Sequence, residues 1–485
     1  MLTEELRNLI DKLLARKCEM QNIELKSAFG GTPEKLYDTL SGFANQSGGG
    51  IVIFGLQEKP EFKVIGVYDA QDLQVKVTNY ALQMEPVIRP VFTVTDYDGK
   101  TVVCAEIPEC DINDKPCYYK GAGRLRGSYV RVGDADLPMT EYEVYSYEAY
   151  KKKIRDELRI VERASVEDFS KKLLDEFFVK LRNTKSQLAM IDDQKILRLQ
   201  GMTDHDKPTV VGTLLLCDYP QAFFPQLGIT AMVVDGTEFG VANPSGVRFI
   251  DNKRIDGTIP QMLEEAISFV RRNTRNATIV NDDGKREDRS EYPMKAVREV
   301  ILNALVHRDY SIHSEDSPVR VVLYSDRLEV ENPGGLYGRL TVNDLGKMPG
   351  DTRNPFLAGN LEILIDTENR FSGIPTIISE MKNAGLRPPV FESRRGNFKV
   401  ILYNNNSQHR TPETEEREDD LLAFFSTPRS KEDVADFVGV KSPYYAMRRY
   451  IKPLLEAGAL EMTLPDKPKS VSQRYVRKSS GEKTV

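Results

Sequence analysis

Four polar side chains recur every four residues along the segment Ser290–Ser311, which is otherwise rich in apolar residues. In chain order they are Lys295, Glu299, Asn303 and His307. A helix stacks residues at this spacing on one face. An amide and a carboxylate one turn apart suit Mg-nucleotide chemistry, because the Asn303 oxygen can coordinate a hard cation and Glu299 can orient or deprotonate a water near a phosphate. An exposed polar stripe without chemistry is the alternative interpretation of the same spacing.

The apolar residues of this segment indicate what positions the stripe. Six of them recur at helical spacing and predict a broad buried face: Ala296, Val297, Val300, Ile301, Ala304 and Leu305. Pro293 suits the first turn of such a helix, where its missing N–H needs no partner. The sequence therefore predicts one helix that packs on a core and carries the polar stripe along its edge.

Several ordered motifs between residues 291 and 404 resemble a single family. Glu299, Asn303 and Ala304 are similar to the N-box of the GHKL ATPases (gyrase, heat-shock chaperone, histidine kinase and MutL type). The similarity continues through the runs His307–Ser311, Asp326–Leu336 and Arg353–Pro355. Together these motifs resemble the divergent GHKL-type domain of bacterial proteins related to the RecG helicase. The resemblance implies an α/β sandwich of the Bergerat type over residues 286–406.

The same resemblance implies ATP and Mg²⁺ as cofactors, with Asn303 as the metal ligand and Glu299 as the base that activates water. It also places five further residues at the nucleotide: His307, Asn332, Gly334, Gly335 and Gly373. The chain departs from the usual pattern at Glu331–Gly335, where a DxGxG box is common, and at Arg370–Pro375, where a GxGxG loop is common. Fewer glycines leave fewer backbone N–H groups for phosphate. ATP binding is therefore expected, whereas efficient hydrolysis is left open.

The first 150 residues carry a second set of motifs. Their patterns predict a helix over Thr3–Ala15, a strand over Ile23–Lys26, a helix over Pro33–Asn45 and a buried strand over Ile51–Phe54. The spacing E-x4-E-x-K, followed by F-A-N-x-x-G-G and I-V-I-F-G, resembles the Schlafen/AlbA-like nucleic-acid-binding domain. We expect this domain over residues 1–150 as a nucleic-acid-binding head.

Three carboxylates of the head are candidates for metal chemistry. Glu19, Glu24 and Glu58 could hold Mg²⁺ or Mn²⁺ for phosphodiester cleavage, with Lys26 nearby to balance phosphate charge. In Schlafen relatives that cut RNA, such a trio forms the active site. The alternative is structural, with Glu24 and Lys26 as an ion pair on one face of a strand and Glu19 in solvent.

A compact basic cluster follows in the same region. Arg124, Arg126 and Arg131 surround Gly127 and Tyr129, a composition suited to phosphate contacts or base stacking. A solvated hairpin end is the alternative interpretation. These arginines and Lys26 are the predicted nucleic-acid contacts of the head.

Composition limits the remaining possibilities. The 485 residues suggest about three domains of ~150 residues each. A net charge of −6 argues against indiscriminate coating of nucleic acid, so binding must use local basic patches. Five cysteines without paired spacing predict a reducing, cytoplasmic location, and four histidines leave little room for a zinc site. We expect neither a signal peptide nor a membrane span.

Residues 151–285 are expected to form a connector and a lead-in to the ATPase-like half. The patterns predict a helix over Val166–Arg182, buried strands over Val210–Leu216 and Gly228–Val234, and a helix over Ile259–Arg272. Residues 407–420 form an acidic linker that should not pack.

Residues 421–485 have the element order of a winged helix. The segment Lys441–Val485 contains ten basic and four acidic residues, a local charge of +6. The predicted DNA contacts lie on the third helix and the wing: Tyr444, Tyr445, Arg448, Arg449, Lys467, Lys469 and Arg474. Use of this domain for protein contacts is the alternative.

The predicted architecture is a multidomain α/β (α+β) protein with two candidate functions. In the first, it is a DNA-binding transcriptional regulator whose affinity responds to Mg-ATP, and homo-oligomers are expected because GHKL domains often dimerise around nucleotide. In the second, the head is a metal-dependent nuclease gated by nucleotide. A scaffold with a vestigial pocket is a third possibility. The chain has no Walker motif G-x-x-x-x-G-K-[ST], which argues against a helicase motor.

Overall fold

The computed structural model describes residues 1–58, 61–240, 246, 248–280, 286–365, 372–394, 396–405, 424–437, 447, 451, 454–455, 459–463 and 473–477. The chain divides into two compact units, Met1–Asn405 and Asn406–Val485. No helix in the described ranges combines the length and apolar character that crossing a membrane requires.

The head is built on a four-stranded sheet. Its elements in chain order are α1 (Thr3–Arg16), β1 (Ile23–Lys26), α2 (Tyr37–Asn45), β2 (Gly50–Phe54), β3 (Leu56–Gln57), β4 (Lys63–Val64), α3 (Ala70–Leu82), β5 (Met84–Glu85), β6 (Val91–Tyr97), β7 (Lys100–Ile107), β8 (Tyr118–Tyr119), α4 (Gly123–Gly127), β9 (Tyr129–Val132), β10 (Ala135–Pro138) and α5 (Glu141–Lys152). The strand order is β1-β2-β7-β6, with β1 and β2 parallel.

Each face of the head sheet has its own apolar core. Residues of α2 and α3, such as Phe43 and Leu73, form one cluster with Phe54. Leu6 and Ile10 of α1 form another with sheet residues of the opposite face. The predicted helix at residues 3–15 and the strands Ile23–Lys26 and Ile51–Phe54 are confirmed. The helix expected from Pro33 begins later, at Tyr37.

The connector is mainly helical and corrects one prediction. It contains α6 (Lys171–Thr184), α7 (Asp193–Leu199), β11 (Thr203–Asp204), β12 (Lys207–Pro208) and α8 (Val210–Leu216). Residues 210–216 were expected to form a buried strand, but they form a helix whose seven residues are all buried. Thr209 caps it by accepting the Gly212 N–H at 3.1 Å. A short run that is apolar on every side fits a buried helix and a buried strand equally well.

The second half of the large unit is a sheet covered by helices. Its elements are β13 (Ile229–Val234), β14 (Phe249–Ile255), α9 (Ile259–Asn273), β15 (Asn276–Val280), β16 (Arg286–Ser290), α10 (Met294–His307), β17 (Val319–Leu323), β18 (Arg327–Pro333), α11 (Pro355–Leu364), α12 (Gly373–Asn383), β19 (Val390–Arg394) and β20 (Asn397–Tyr403). The six-stranded order is β14-β13-β17-β18-β20-β19. The lead-in strands β13 and β14 therefore belong to the same sheet as β17–β20.

Helices α9, α10 and α12 pack together against this sheet. Their buried residues, such as Leu263, Ile301 and Ile377, join Val321 and Leu402 in one core cluster. The predicted helices at residues 290–311 and 259–272 and the strand at residues 228–234 are confirmed in type and position. The core thus holds α10 by its apolar face, as the spacing of its residues predicts.

The small unit is described in part. It contains α13 (Lys431–Phe437), β21 (Leu460–Met462) and β22 (Tyr475–Arg477), around a cluster that includes Phe425, Val434 and Ile451. The short helix and the hairpin were both predicted. The expectations for Tyr444, Tyr445, Arg448, Arg449, Lys467 and Lys469 lie outside the described residues, as does that for the acidic linker.

Candidate functional site

The polar stripe of α10 meets the start of α12. A Cβ atom built on Gly373 would lie 3.1 Å from Asn303 Nδ2 and 3.2 Å from Glu299 Oε2. At the other end of the stripe, Lys295 pairs with Glu380 of α12 at 3.5 Å. Only glycine gives the two candidate polar groups this much room beside the first residue of α12. The amide, the carboxylate and the helix N-terminus are therefore within contact distance, as the spacing predicts.

A cavity of about 550 Å³ opens beside these groups. It is large enough for a nucleotide, since small-molecule sites commonly occupy ~300–1,000 Å³. All six residues predicted to contact the cofactor line it: Asn303, His307, Asn332, Gly334, Gly335 and Gly373. The wall opposite α10 comes from the segment 334–353, in which 342–344 form a short 3-10 helix. The sequence thus identified one continuous site from residues 70 positions apart.

Two side chains of the stripe, Glu299 and His307, have pKa values that their surroundings shift. Burial raises the pKa of Glu299, although Arg298 and Lys295 act against that shift. His307 lines the cavity and is accessible from it. Desolvation by the surrounding protein, and then the charge of Arg353, lower the pKa of His307 to about 4. His307 is therefore neutral near pH 7, and Glu299 is more easily protonated than an exposed glutamate.

Gly334 fixes the turn after β18. Its φ of 97° lies in the left-handed region, and an added Cβ would lie 2.9 Å from the Asp309 nitrogen. The Asp309 N–H donates to the Pro333 carbonyl at 2.8 Å, which holds the two segments together. A side chain at position 334 would collide with this contact, so the glycine is required for the close approach and not only for the turn.

Asp309 is the centre of a buried network that the sequence analysis did not identify. Its Oδ2 accepts hydrogen bonds from the Tyr142 hydroxyl at 2.7 Å and from an Arg353 N–H at 3.1 Å. Its Oδ1 accepts the Ser311 N–H at 2.7 Å. Burial alone would raise the pKa of Asp309, but Arg353, Ser311 and Tyr142 outweigh it and hold the pKa below its usual value. Asp309 and Arg353 lie in motifs that carry the family resemblance, and this resemblance is the only feature of the sequence that points to them.

The wall of the cavity also contains an unused donor. Arg353 is 6% exposed, and its Nε has no hydrogen-bond partner among the described residues. Lys347, also on this wall, is exposed. Two cationic side chains on one wall of a cavity fit an anionic ligand. The residues present therefore fit a nucleotide phosphate.

The carboxylates of the head form a different cluster from the one predicted. Arg131, with a fully buried side chain, lies 2.7 Å from Glu24 Oε2, 3.8 Å from Glu19 Oε2 and 3.2 Å from Asp136 Oδ1. Among the described residues, no group of three His, Cys, Asp or Glu side chains is placed to hold a metal ion. Glu58 affects the ionisation of Glu19 but does not complete such a group. A cation therefore already sits between the two carboxylates of the proposed trio.

The environment of Glu19 is nevertheless unusual. Burial is the main cause that raises its pKa to about 7; the Leu25 N–H, bound at 2.6 Å, and Arg131 act in the opposite direction. Glu24 also accepts from Lys26 at 2.6 Å, so the same-face ion pair considered as the structural alternative is present.

The predicted basic patch is only partly at the surface. Arg131 was expected to contact nucleic acid, and this is wrong for the structure described, because its guanidinium is buried and paired with three carboxylates. Arg126 is exposed, and Arg124 is partly exposed, pairing with Glu148 and lying 5.4 Å from the centre of the Tyr118 ring. In the small unit, Arg474 is partly buried and donates to the Gln473 carbonyl at 3.1 Å.

Comparisons with known proteins match three parts of the chain to family models. Residues 19–140 match the family described as "Schlafen, AlbA_2", and residues 316–402 match "Putative ATP-dependent DNA helicase recG C-terminal", an HATPase-type model. Residues 419–476 match "Filamentation induced by cAMP protein Fic-like, C-terminal domain". No curated protein matches the chain significantly.

Two solved structures are similar to the chain. A protein from Corynebacterium diphtheriae, known from its crystal structure, is 20% identical over 94% of this chain and 93% of its own, with a TM-score of 0.39. The N-terminal domain of an ATP-dependent DNA helicase RecG-related protein from Nitrosomonas europaea, solved by NMR, is 26% identical over 28% of this chain and 92% of its own, with a TM-score of 0.23.

The chain therefore carries a Schlafen/AlbA-type head and a RecG C-terminal HATPase-like domain, as its motifs predict. The two domains together indicate a function related to nucleic acids and associated with ATP. The expectation of a winged-helix tail is corrected, because that segment matches a Fic-like C-terminal domain instead. Element order alone could not separate these two identities.

Proposed function

We propose that this protein binds nucleic acid in a manner that responds to Mg-ATP, as a DNA-binding regulator. The observation that carries the proposal is the single cavity of about 550 Å³ on which all six predicted nucleotide contacts converge. Asn303 would hold the metal, and Arg353 and Lys347 would neutralise phosphate. Bound Mg-ATP supplies negative charge and a change in ligand contacts. The residues that line the cavity determine where that charge lies in the protein.

The nucleic-acid surface in this proposal lies on the head. Arg126 is exposed there, and Arg124 is held close to Tyr118, an arrangement that offers both a phosphate contact and an aromatic ring. The protein as a whole is acidic, so the affinity should depend on this local charge and fall steeply with salt.

The test is Asn303→Ala, with Asn183→Ala as a matched control on the exposed surface of α6. Mg-ATP affinity is measured by calorimetry, and binding of labelled duplex DNA and single-stranded RNA by fluorescence anisotropy with and without Mg-ATP. Loss of a charge-assisted contact should weaken Mg-ATP binding by roughly 10- to 100-fold. The control should bind as the wild type does. Unchanged Mg-ATP binding by Asn303→Ala would sink this assignment of the cavity.

A metal-dependent nuclease is the second candidate. It is favoured by one observation, that Glu19 Oε2 and Glu24 Oε2 both lie within 4 Å of the same Arg131 nitrogen, which brings the two carboxylates close together. The same oligonucleotides are incubated with Mg²⁺ or Mn²⁺, with and without ATP, beside a Glu19→Gln/Glu24→Gln variant. Cleavage that disappears in this variant would establish the nuclease and displace the regulator. Intact substrates with ATP-dependent binding would favour the regulator.

A further inference from the structure

Helix α5 belongs to the head but contacts the cavity wall. It follows the β9–β10 hairpin directly and begins with a capping box, in which the Thr140 N–H donates to Glu143 Oε2 at 2.8 Å and the Glu143 N–H donates to Thr140 Oγ1 at 3.2 Å. The helix is continuous over 12 residues, so its contacts with the head and with the cavity wall belong to one element.

The first contact of α5 with the cavity wall is made by Tyr142. Its hydroxyl donates to Asp309, the same carboxylate oxygen that accepts from Arg353. Its ring also fills the space beside Gly396, where an added Cβ would lie 2.5 Å from Tyr142 Cε1. Gly396 in turn accepts the N–H of Gly334, a residue that lines the cavity. Tyr142 therefore contacts the cavity wall through two separate routes.

The second contact is made by Tyr150, two turns further along α5. Its hydroxyl donates to Asp351 Oδ2 at 2.8 Å, and its ring lies 5.1 Å from that of Tyr337 in an edge-to-face arrangement. Asp351 and Tyr337 both line the cavity. Tyr150 thus contacts both ends of the wall segment 334–353 directly, and Tyr142 reaches both ends through Asp309 and Gly396.

The same helix also holds the candidate nucleic-acid surface. Glu148 lies between the two tyrosines in sequence and pairs with Arg124 of α4. Arg124 lies beside the exposed Arg126. One helix therefore contacts both sites that the proposed function requires.

The contacts at the cavity depend on which partner Arg353 takes. Its guanidinium now donates to Asp309 and to the Gly335 carbonyl, and its Nε is buried without a partner among the described residues. An anionic ligand in the cavity that contacts the Arg353 guanidinium would compete with Asp309 for it. Asp309 would then depend more on Tyr142, whose hydroxyl is its other side-chain donor.

We propose that α5 couples the nucleotide cavity to the Arg124 surface, with Tyr142 and Tyr150 as positioning residues that report the state of the cavity wall. This inference rests on the proposed function and adds how its two sites communicate. Coupling requires that ATP bind the two arrangements of the wall with different affinity. By linkage, nucleic acid must then change the affinity for ATP by the same factor.

The test is a Tyr142→Phe/Tyr150→Phe variant of the full chain, which removes both hydroxyls and keeps both rings. Anisotropy with labelled duplex DNA and single-stranded RNA gives the Kd with and without Mg-ATP, and calorimetry gives the Kd of Mg-ATP with and without the oligonucleotide. For each protein, the quantity compared is the ratio of the Kd of one ligand measured without the other ligand to its Kd measured with it. Tyr147→Phe makes the same chemical change on the same helix without removing either contact.

In the wild type we expect Mg-ATP to change the Kd of the nucleic acid by about fivefold or more. The nucleic acid should change the Kd of Mg-ATP by the same factor. In the double variant the ratio should fall below about twofold while Mg-ATP still binds, and Tyr147→Phe should keep the wild-type ratio. A ratio that is unchanged in the double variant overturns the coupling and leaves the proposed function standing. A wild type that binds Mg-ATP or nucleic acid without any change in the other affinity overturns both.

If the double variant does not fold, Glu148→Gln tests the other end of the helix. It removes the charge that holds Arg124 and leaves both tyrosines in place. The ratio should again fall below about twofold. A wild-type ratio in this folded variant would overturn the inference.

Discussion

Replacing Arg131 by alanine should unfold the head locally, because this arginine compensates three buried carboxylates. Glu19, Glu24 and Asp136 have side chains that are 11, 12 and 8% exposed, and all three lie within 4 Å of the guanidinium. The same group donates to the carbonyls of Gln21 at 3.3 Å and Ile23 at 3.4 Å, so it also holds the backbone that enters β1. Removing one partner of a buried ion pair typically costs about 3–5 kcal/mol.

A loss of this size is large beside the ~5–15 kcal/mol that stabilises a typical domain. It corresponds to roughly two to four powers of ten in an opening equilibrium. Amide hydrogen exchange is the suitable assay, because it reports the opening of β1 and β2 separately from the rest of this multidomain chain. Protection of the amides paired between Ile23–Lys26 and Ile51–Phe54 should fall by that factor.

Arg126→Ala is the matched control, since it removes the same charge from an exposed position. Its effect on protection should stay within about 0.5 kcal/mol, while its affinity for nucleic acid should fall. The opposite pattern would refute this reasoning. If Arg131→Ala kept its protection and lost nucleic-acid binding, Arg131 would be a contact residue, as the sequence first suggested. Arg131→Lys, which keeps the charge but not the fork, should lie between the two.

Three further predictions concern buried groups. The pKa of Glu19 rises from its usual 4.5 to about 7 in the folded protein, so its stabilising contribution is complete below pH 4.5 and is lost as the pH rises towards 7. Glu19→Gln should therefore lose less stability between pH 5 and pH 8 than the wild type, by up to ~3 kcal/mol in urea denaturation; equal losses would place this pKa at its ordinary value. Glu157→Ala should cost ~2–5 kcal/mol in the same assay, because the Phe356 and Leu357 N–H groups lose their acceptor; a cost under ~1 kcal/mol would show that water replaces it. Gly334→Ala should lower the melting temperature and weaken Mg-ATP binding, because the new Cβ meets Asp309; wild-type values in both would contradict the strain argument.

Local periodicity predicted α10 and its polar stripe because both are properties of one amphipathic helix. The four-residue spacing from Glu299 to His307 and the apolar face of α10 are both properties of a few consecutive turns, so the sequence states them directly. Gly334 and Gly335 were placed through the motif that contains them. The close approach of Gly334 to Asp309 is a tertiary fact that the motif only implies.

Arg131 was misplaced although a local signal existed. The turn at Gly133 and Asp134 joins two strands in which Arg131 pairs directly with Asp136. A two-residue turn containing glycine fixes that register from sequence, and opposite charges that face each other across strands indicate a pair rather than a free surface. The arginine was read as surface because composition, rather than register, was considered.

The contacts of α5 could not be predicted, because each joins residues far apart in the chain. Tyr142 and Asp309 are separated by 167 positions, and Tyr150 and Asp351 by 201. A tyrosine on an amphipathic helix gives no sign of which distant carboxylate it will bind. Such contacts become visible only when the two domains are placed against each other.

Several residues of the motifs that carry the family resemblance support the cavity but do not line it. Arg308 is fully buried and donates to the carbonyls of Ser314 and Ser317, while Asn354 donates to those of Val306 and Arg308 at 2.8 Å each. These bonds tie the end of α10 to the start of α11, whose first N–H groups are capped by Glu157 from the connector.

The separation between Asn303 on α10 and Arg353 just before α11 is therefore set by side chains that do not bind ligand. A site that depends on such support can change its affinity when the support moves, without any change in the residues that contact ligand. Tyr142, a residue of the head, contacts these supporting residues through its hydrogen bond to Asp309. In the coupling proposed above, Asp309 is therefore the carboxylate through which the head contacts the residues that support the cavity.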